Sequence, residues 1–159
     1  AVVDADPLPP GPGRRQPGEA TVPPSIQASL HARLDRLREA REVAQVAAAI
    51  GRDFSLDLLG QVAGLGEAEL GNAMARMLAA GLVRSAGATS PGRYRFKHAL
   101  IRDAAYSTII RSRRRDLHAR IGRALVEARV PERATARPQL IAWHFTEAGL
   151  AAEAAAWWL

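Results

Sequence analysis

The hydrophobic positions after residue 24 predict a series of short helices, because apolar residues recur there at three- and four-residue spacing. The first four helices are expected from Pro24 to about Arg38, from Glu39 to Ile50, over a short stretch capped by Ser55, and from Glu67 to Ala80. Glycine commonly ends a helix, and Gly51, Gly64 and Gly81 follow three of these segments. The residues expected to face the core are Ile26, Leu30, Leu34, Leu37, Val43, Val46, Ala47, Ile50, Leu58, Leu59, Val62, Leu70, Ala73, Met77 and Leu78.

The period of the pattern changes after Gly81. Residues 82–85 (LVRS) form a short apolar segment, residues 87–92 are typical of a turn, and residues 93–97 (RYRFK) alternate polar and aromatic side chains. Alternation with period two predicts a half-buried strand, so we expect a two-stranded hairpin here. Helices followed by such a hairpin are typical of a winged-helix domain, which we place at residues 25–111.

Helical spacing returns after the hairpin. We expect one helix from His98 to about Ile110, one capped by Ser112 that reaches about Ala128, and two helices after Pro138 that Gly149 separates. The inward residues of the first two are Leu100, Ile101, Ala104, Ala105, Ile109, Leu117, Ile121, Ala124, Leu125 and Ala128. The fold class is therefore mainly α, with a helical arm at residues 112–159.

The first 24 residues have a different composition and hold seven of the ten prolines. Proline lacks an amide donor and fixes φ, so this stretch is predicted to be a linker. The chain does not begin with Met and its last residues continue a helical pattern, which indicates a segment of a larger protein. We find neither a signal-peptide pattern nor an apolar run of about 20 residues, and we expect a cytoplasmic location.

The net charge of +6 comes almost entirely from arginine, since Lys97 is the only lysine. Solvated helix faces account for most of this excess. The densest basic cluster is a candidate partner-binding surface, because cations at a helix start oppose the helix dipole; the alternative is a solvated turn. The cluster consists of Arg111, Arg113, Arg114 and Arg115.

The sequence offers no constellation for catalysis or metal binding. It has no cysteine, and its four histidines do not fall at zinc-ligand spacing. His144 and Glu147 are one helical turn apart, which favours a surface pair. A phosphate-binding Gly-x-x-x-x-Gly-Lys-Ser/Thr loop is also missing from the chain. We therefore expect no enzymatic activity and no cofactor in the chain itself.

Several segments together resemble the region behind the ATPase core of bacterial signal-transduction ATPases with numerous domains, the STAND class, which are found fused to class III adenylate cyclase or helix-turn-helix output domains. The segment at residues 140–149 resembles the beginning of a tetratricopeptide-type repeat array. The segments that carry the resemblance are VPPSI at 22–26, ARLDRL at 32–37, IGRDF at 50–54, AAGLV at 79–83, YRFKHALIRDAAY at 94–106 and LIAWHFTEAG at 140–149.

The resemblance implies a specific role for the junction between the second strand and the next helix. In this class the winged-helix domain closes over nucleotide, and a histidine at that junction contacts the ADP β-phosphate. His98 occupies the matching position, with Lys97 beside it, while Ala99 departs from the Met-His-Asp pattern of many relatives. The implied partners are an upstream ATPase core, which holds ADP or ATP with Mg, and downstream repeats of the same chain.

The residues alone make the same role physically reasonable. The first amides of a helix have no internal partners and carry partial positive charge, so an anion is favoured next to them. His98 lies at such a start and its imidazole can donate to a phosphate. The alternative is that His98 only caps the helix or packs in the core.

DNA binding is the rival function for a winged helix. The recognition element would be the helix at residues 67–80, whose predicted outward residues include Glu67, Glu69, Asn72 and Arg76. Two acids and one arginine make a poor surface for phosphates, and the sequence therefore disfavours DNA as a partner.

Overall fold

The computed structural model describes residues 23–127 and 137–158. Most of the predicted linker, and Ala128 at the expected end of one helix, lie outside the described residues. The described chain is mainly helical with a small antiparallel sheet, which confirms the predicted class at that level. In chain order its elements are α1 Pro24–Asp35, α2 Ala40–Ile50, β1 Asp53–Ser55, α3 Leu56–Ala63, α4 Glu67–Ala79, β2 Val83–Ser85, β3 Arg93–Phe96, α5 Ala99–Ser107, α6 Arg111–Val126, α7 Pro138–Ala148 and α8 Ala151–Trp158.

The sheet has three strands in the order β1-β3-β2, one strand more than the two-stranded hairpin that the sequence predicted. The hairpin of β2 and β3 is present, but β1 pairs with the other side of β3, with Phe54 opposite Tyr94. Phe54 is buried, and its ring lies 6.2 Å from that of Tyr94 and 5.6 Å from that of Phe96. A three-residue strand is too short to show a period in the sequence, so only the aromatic side chain signals it.

Helix α2 forms the centre of the core. It contacts α1, α3, α4, α5, α6 and β1, and nine of its eleven residues are buried. Five of its residues are alanines, whose small side chains allow the surrounding elements to approach closely. The one buried polar side chain of α2, Gln45, is satisfied because its Nε2 donates to Thr108 Oγ1 at 2.9 Å.

The ends of the helices confirm some of the predicted caps and stop residues. Ser55 caps α3, since its Oγ accepts from the amide of Leu58 at 3.1 Å. Gly64 and Gly149 end α3 and α7 with φ of 69° and 76°, the left-handed region that favours glycine. The prediction that Ser112 caps α6 was wrong, because α6 begins at Arg111 and its N-cap is Ile110, without a side-chain bond.

Three residues assigned to the core are solvent-exposed: Ile26 by 43%, and Leu78 and Leu100 by 40% each. In α4 the inward position near Leu78 belongs to Met74, which is buried. The first helix also ends earlier than expected, at Asp35 rather than at Arg38. The chain turns there with Arg38 at φ 53°, a conformation that a non-glycine residue seldom adopts and that its sequence does not signal.

The arm helices pack side by side against the rest of the molecule. Helix α6 contacts α2 and α3 as well as α7, and α8 packs on α7. A side chain on Gly122 of α6 would meet the Phe145 ring of α7 at 2.8 Å, so the two helices approach closely where this glycine lies. Over residues 23–127 and 137–158, no helix has the length and apolar character needed to cross a membrane.

Candidate functional site

His98 lies at the expected junction between a strand and a helix. Strand β3 ends at Phe96, α5 begins at Ala99, and His98 is the N-cap residue with extended backbone. Its side chain is exposed and makes no capping hydrogen bond, and Lys97 beside it is exposed as well. The structure thus excludes the alternative in which His98 packs in the core or caps α5 with its side chain.

The predicted basic cluster separates into different environments. The Arg113 guanidinium lies 3.5 Å from the Glu42 carboxylate of α2, an exposed ion pair. Arg114 donates from Nε to the Ile109 carbonyl at 2.8 Å, and Arg115 donates from Nε to the Ala148 carbonyl of α7 at 3.3 Å. Arg114 therefore fixes the backbone at the start of α6, and Arg115 joins α6 to the end of α7. The role of the cluster toward a partner stays a prediction.

A buried hydrogen-bonded chain of three side chains is the most unusual polar feature of the structure. Tyr106 Oη lies 2.9 Å from His118 Nε2, and His118 Nδ1 lies 2.8 Å from His144 Nδ1. Tyr106 is 3% exposed, His118 is fully buried and His144 is 1% exposed. The chain joins α5, α6 and α7 through a hydrophobic interior.

The sequence patterns did not predict this hydrogen-bonded chain, and the expectation of a surface pair between His144 and Glu147 was wrong because His144 is buried. His144 is buried because it lies on the same face of α7 as Ile141 and Ala148, which are buried too. His118 is next to buried Leu117 and one turn before buried Ile121. A histidine on the apolar stripe of each of two neighbouring helices was the available signal.

Aromatic and cationic groups surround the chain. The Trp143 ring meets His118 edge-on at 5.1 Å and His144 at 4.7 Å between centroids. The guanidinium groups of Arg102 and Arg114 lie 5.0 and 4.6 Å from the centre of the Tyr106 ring. Arg102 is itself fixed, because its Nε donates to the Ala48 carbonyl of α2 at 2.8 Å.

This environment keeps both imidazoles neutral. Burial, reinforced by the positive charges of Arg102 and Arg114, lowers the pKa of His118 to about 4. Burial also lowers the pKa of His144 well below its usual value, and neighbouring His118 adds to the effect. Burial raises the pKa of Tyr106, with Glu147 adding to the rise, so its hydroxyl keeps its proton at neutral pH.

The hydrogen-bonded series of Tyr106, His118 and His144 ends at a nitrogen of His144 that has no partner among the described residues. His144 Nε2 is buried and forms no hydrogen bond within the described protein. The same ring lines a partly open cleft of about 160 Å³ between the sheet and the arm. Among the described residues, no three histidine, cysteine or acidic side chains are grouped so that they could hold a metal ion.

A curated protein similar to this chain is the uncharacterized protein R02095 of Rhizobium meliloti (strain 1021). The two are 31% identical over 106 residues, which cover 66% of this chain and 10% of that protein. The chain thus matches about a tenth of the length of this relative. No family model and no solved structure matches the chain.

Proposed function

We propose that this chain is a non-catalytic regulatory module of a nucleotide-switched signalling ATPase of the STAND class. Its winged-helix domain closes over ADP or ATP that an upstream core holds with Mg. The helical arm then relays the nucleotide state to tetratricopeptide-like repeats and an output domain, such as an adenylate cyclase. The mechanism is a rotation between two domain arrangements, biased by whether a nucleotide phosphate meets His98.

The order of elements supports the winged-helix part of the proposal. Helix α2 is followed by β1, two helices, and the β2–β3 hairpin, and β3 lies between the other two strands. This order of helix, strand, two helices and hairpin is typical of winged-helix domains. The third strand therefore strengthens the assignment that the sequence suggested from two.

The position of His98 is the observation that carries the proposal. An exposed imidazole at an N-cap, without a capping bond, leaves the first amides of α5 open to a ligand from outside the chain. The partial charge of the helix start favours an anion there, and Lys97 is the exposed residue next to His98 in the sequence. A phosphate held by another domain has the charge and the acceptor oxygens that this position would bind.

Direct packing between helices of the winged-helix part and the arm supports the relay. Helix α6 contacts α2 and α3 on one side and α7 on the other, so a movement of the winged helix would displace the arm. The buried chain of Tyr106, His118 and His144 reinforces this connection, because it links α5 to both arm helices.

The structure gives DNA binding little support. Glu67, Glu69, Asn72 and Arg76 are all exposed on α4, as the sequence analysis expected for the would-be recognition helix. Its first turn carries two acids and its last turn one arginine. A surface of this charge would repel the phosphates that supply most of the affinity for DNA.

Two measurements test the proposal at the level of this chain. Calorimetry on the 159-residue chain should show no binding of ADP or ATP tighter than about millimolar, because the phosphate loop is elsewhere. The coding sequence upstream of Ala1 should contain a Gly-x-x-x-x-Gly-Lys-Ser/Thr motif. Micromolar affinity of the chain alone, or an upstream sequence without that motif, would contradict the proposal.

A further inference from the structure

A cleft lies between β1 and α3 on one side and the arm helices α6 and α7 on the other. Phe54 and Leu58 line it from one side, and Ile121, Leu125 and Leu140 line it from the other. Its volume of about 160 Å³ is close to that of apolar cavities of about 150 Å³ that accommodate benzene. The cleft therefore has the size and the walls for a molecule with one small ring.

Asp53, Ser55 and Arg93 line the cleft from the strands, and His144 adds a polar group from the arm. Its Nδ1 bonds to His118, which leaves Nε2 as the buried atom without a partner. His118 does not line the cleft, whereas His144 does. A buried polar atom without a partner costs about 1–3 kcal/mol, so a ligand or a water that bonds to it is favoured.

The hydrogen bonds of Tyr106 and His118 determine whether His144 Nε2 donates or accepts. A neutral imidazole has one donor and one acceptor nitrogen. The Tyr106 hydroxyl bonds to His118 Nε2, and its own proton is satisfied there only if the hydroxyl donates, so we assign the donor role to Tyr106. His118 Nδ1 then donates to His144 Nδ1, and His144 carries its proton on Nε2.

We propose that this cleft binds a small molecule with a single-ring apolar body and an acceptor oxygen, a carbonyl or a carboxylate, which accepts a hydrogen bond from His144 Nε2. The apolar body contacts residues of both the sheet-bearing part and the arm. Such sites are common where two structural units meet. A bound molecule would hold the sheet-bearing part and the arm together more firmly. This binding requires no nucleotide and does not depend on the function proposed above.

The test is a titration of the 159-residue chain with labelled histidine rings, followed by nitrogen-15 NMR. The probes are benzamide and benzoate, which have acceptor oxygens, and toluene, which has none. Both oxygen-bearing probes should shift the His144 ring nitrogen saturably, and toluene should bind about tenfold more weakly because it cannot accept the hydrogen bond. Tighter binding of benzoate would identify carboxylates as the preferred class, and tighter binding of benzamide neutral carbonyls.

Two variants locate the site. His144→Phe removes the donor and should abolish the preference for benzamide over toluene. Because that change also leaves His118 without its acceptor, Leu140→Phe serves as a second variant that only narrows the cleft and should weaken all three probes. Leu150→Phe is the control, since Leu150 is half-buried in the arm but does not line the cleft. Equal binding of toluene and benzamide, or no saturable shift with any probe and only water in the cleft, would overturn the proposal.

Discussion

His118 and His144 meet through their Nδ1 atoms at 2.8 Å in the interface between α6 and α7. A hydrogen bond between two imidazole nitrogens needs a proton on one and a lone pair on the other. Protonation of the acceptor would leave two N–H groups facing each other and would add a positive ring near Arg102 and Arg114. The packing of the arm therefore depends on this pair staying neutral.

The stability of the protein should fall as the pH falls from about 6.5 toward 4. In the folded state His118 has a pKa of about 4, and that of His144 is also lowered, whereas the unfolded chain takes up protons below about 6.5. The unfolded state thus binds more protons in this window, and each histidine lowers the free energy of unfolding by up to about 1.4 kcal/mol per pH unit. Urea denaturation between pH 7.5 and 4 measures the effect.

The exposed His98 supplies the control for this experiment. His98→Gln should leave the pH dependence of the unfolding free energy unchanged, because His98 lies outside the interface. A stability that is flat from pH 7 to 4.5 would show that the pair is not held neutral.

Removal of the Tyr106 hydroxyl should destabilise the fold by about 1–3 kcal/mol, since Tyr106→Phe leaves His118 Nε2 buried without a partner. Tyr94→Phe is the matched control. Tyr94 is half-buried on β3, and its hydroxyl forms no hydrogen bond among the described residues, so the loss of this hydroxyl should cost less than about 0.5 kcal/mol. Equal effects of the two substitutions in chemical denaturation would argue against the hydrogen-bonded chain.

The close approach of α6 and α7 makes Gly122 sensitive to a single methyl group. In Gly122→Ala the new Cβ would lie 2.8 Å from the Phe145 ring, and the strain should cost about 1–3 kcal/mol despite the better helix propensity of alanine. Gly71→Ala in α4 has open space around it and should instead stabilise the protein by up to about 1 kcal/mol. Thermal unfolding of both variants checks the opposite signs, and a stabilised Gly122→Ala would contradict the packing described here.

The helices could largely be predicted from the sequence, because their signals are local. Ser55 and Gly64 bound α3, and Gly149 ends α7, each through a bond or backbone conformation within a few residues. The turn at Arg38 could not be predicted in this way, because a left-handed residue there is neither glycine nor asparagine. Its conformation depends on how α1 and α2 pack.

The candidate sites also differ in whether neighbouring residues or tertiary packing determines them. The place of His98 between a strand and a helix follows from neighbouring residues, so the sequence predicted it. His118 and His144 are 26 positions apart and meet only because α6 packs on α7. Their contact could not be predicted from neighbouring residues, although each histidine lies on an apolar helix face.

The rate of ADP release tests the proposed contact between His98 and a nucleotide phosphate. The measurement needs the longer polypeptide that the proposed function implies, with a nucleotide-binding core ahead of this chain. His31→Ala in α1 is the control. A lost hydrogen bond to a charged phosphate is worth about 1.5–3 kcal/mol, so His98→Ala should release ADP about 10- to 100-fold faster, and His31→Ala should not. Equal release rates for the unmodified protein and His98→Ala would contradict the account.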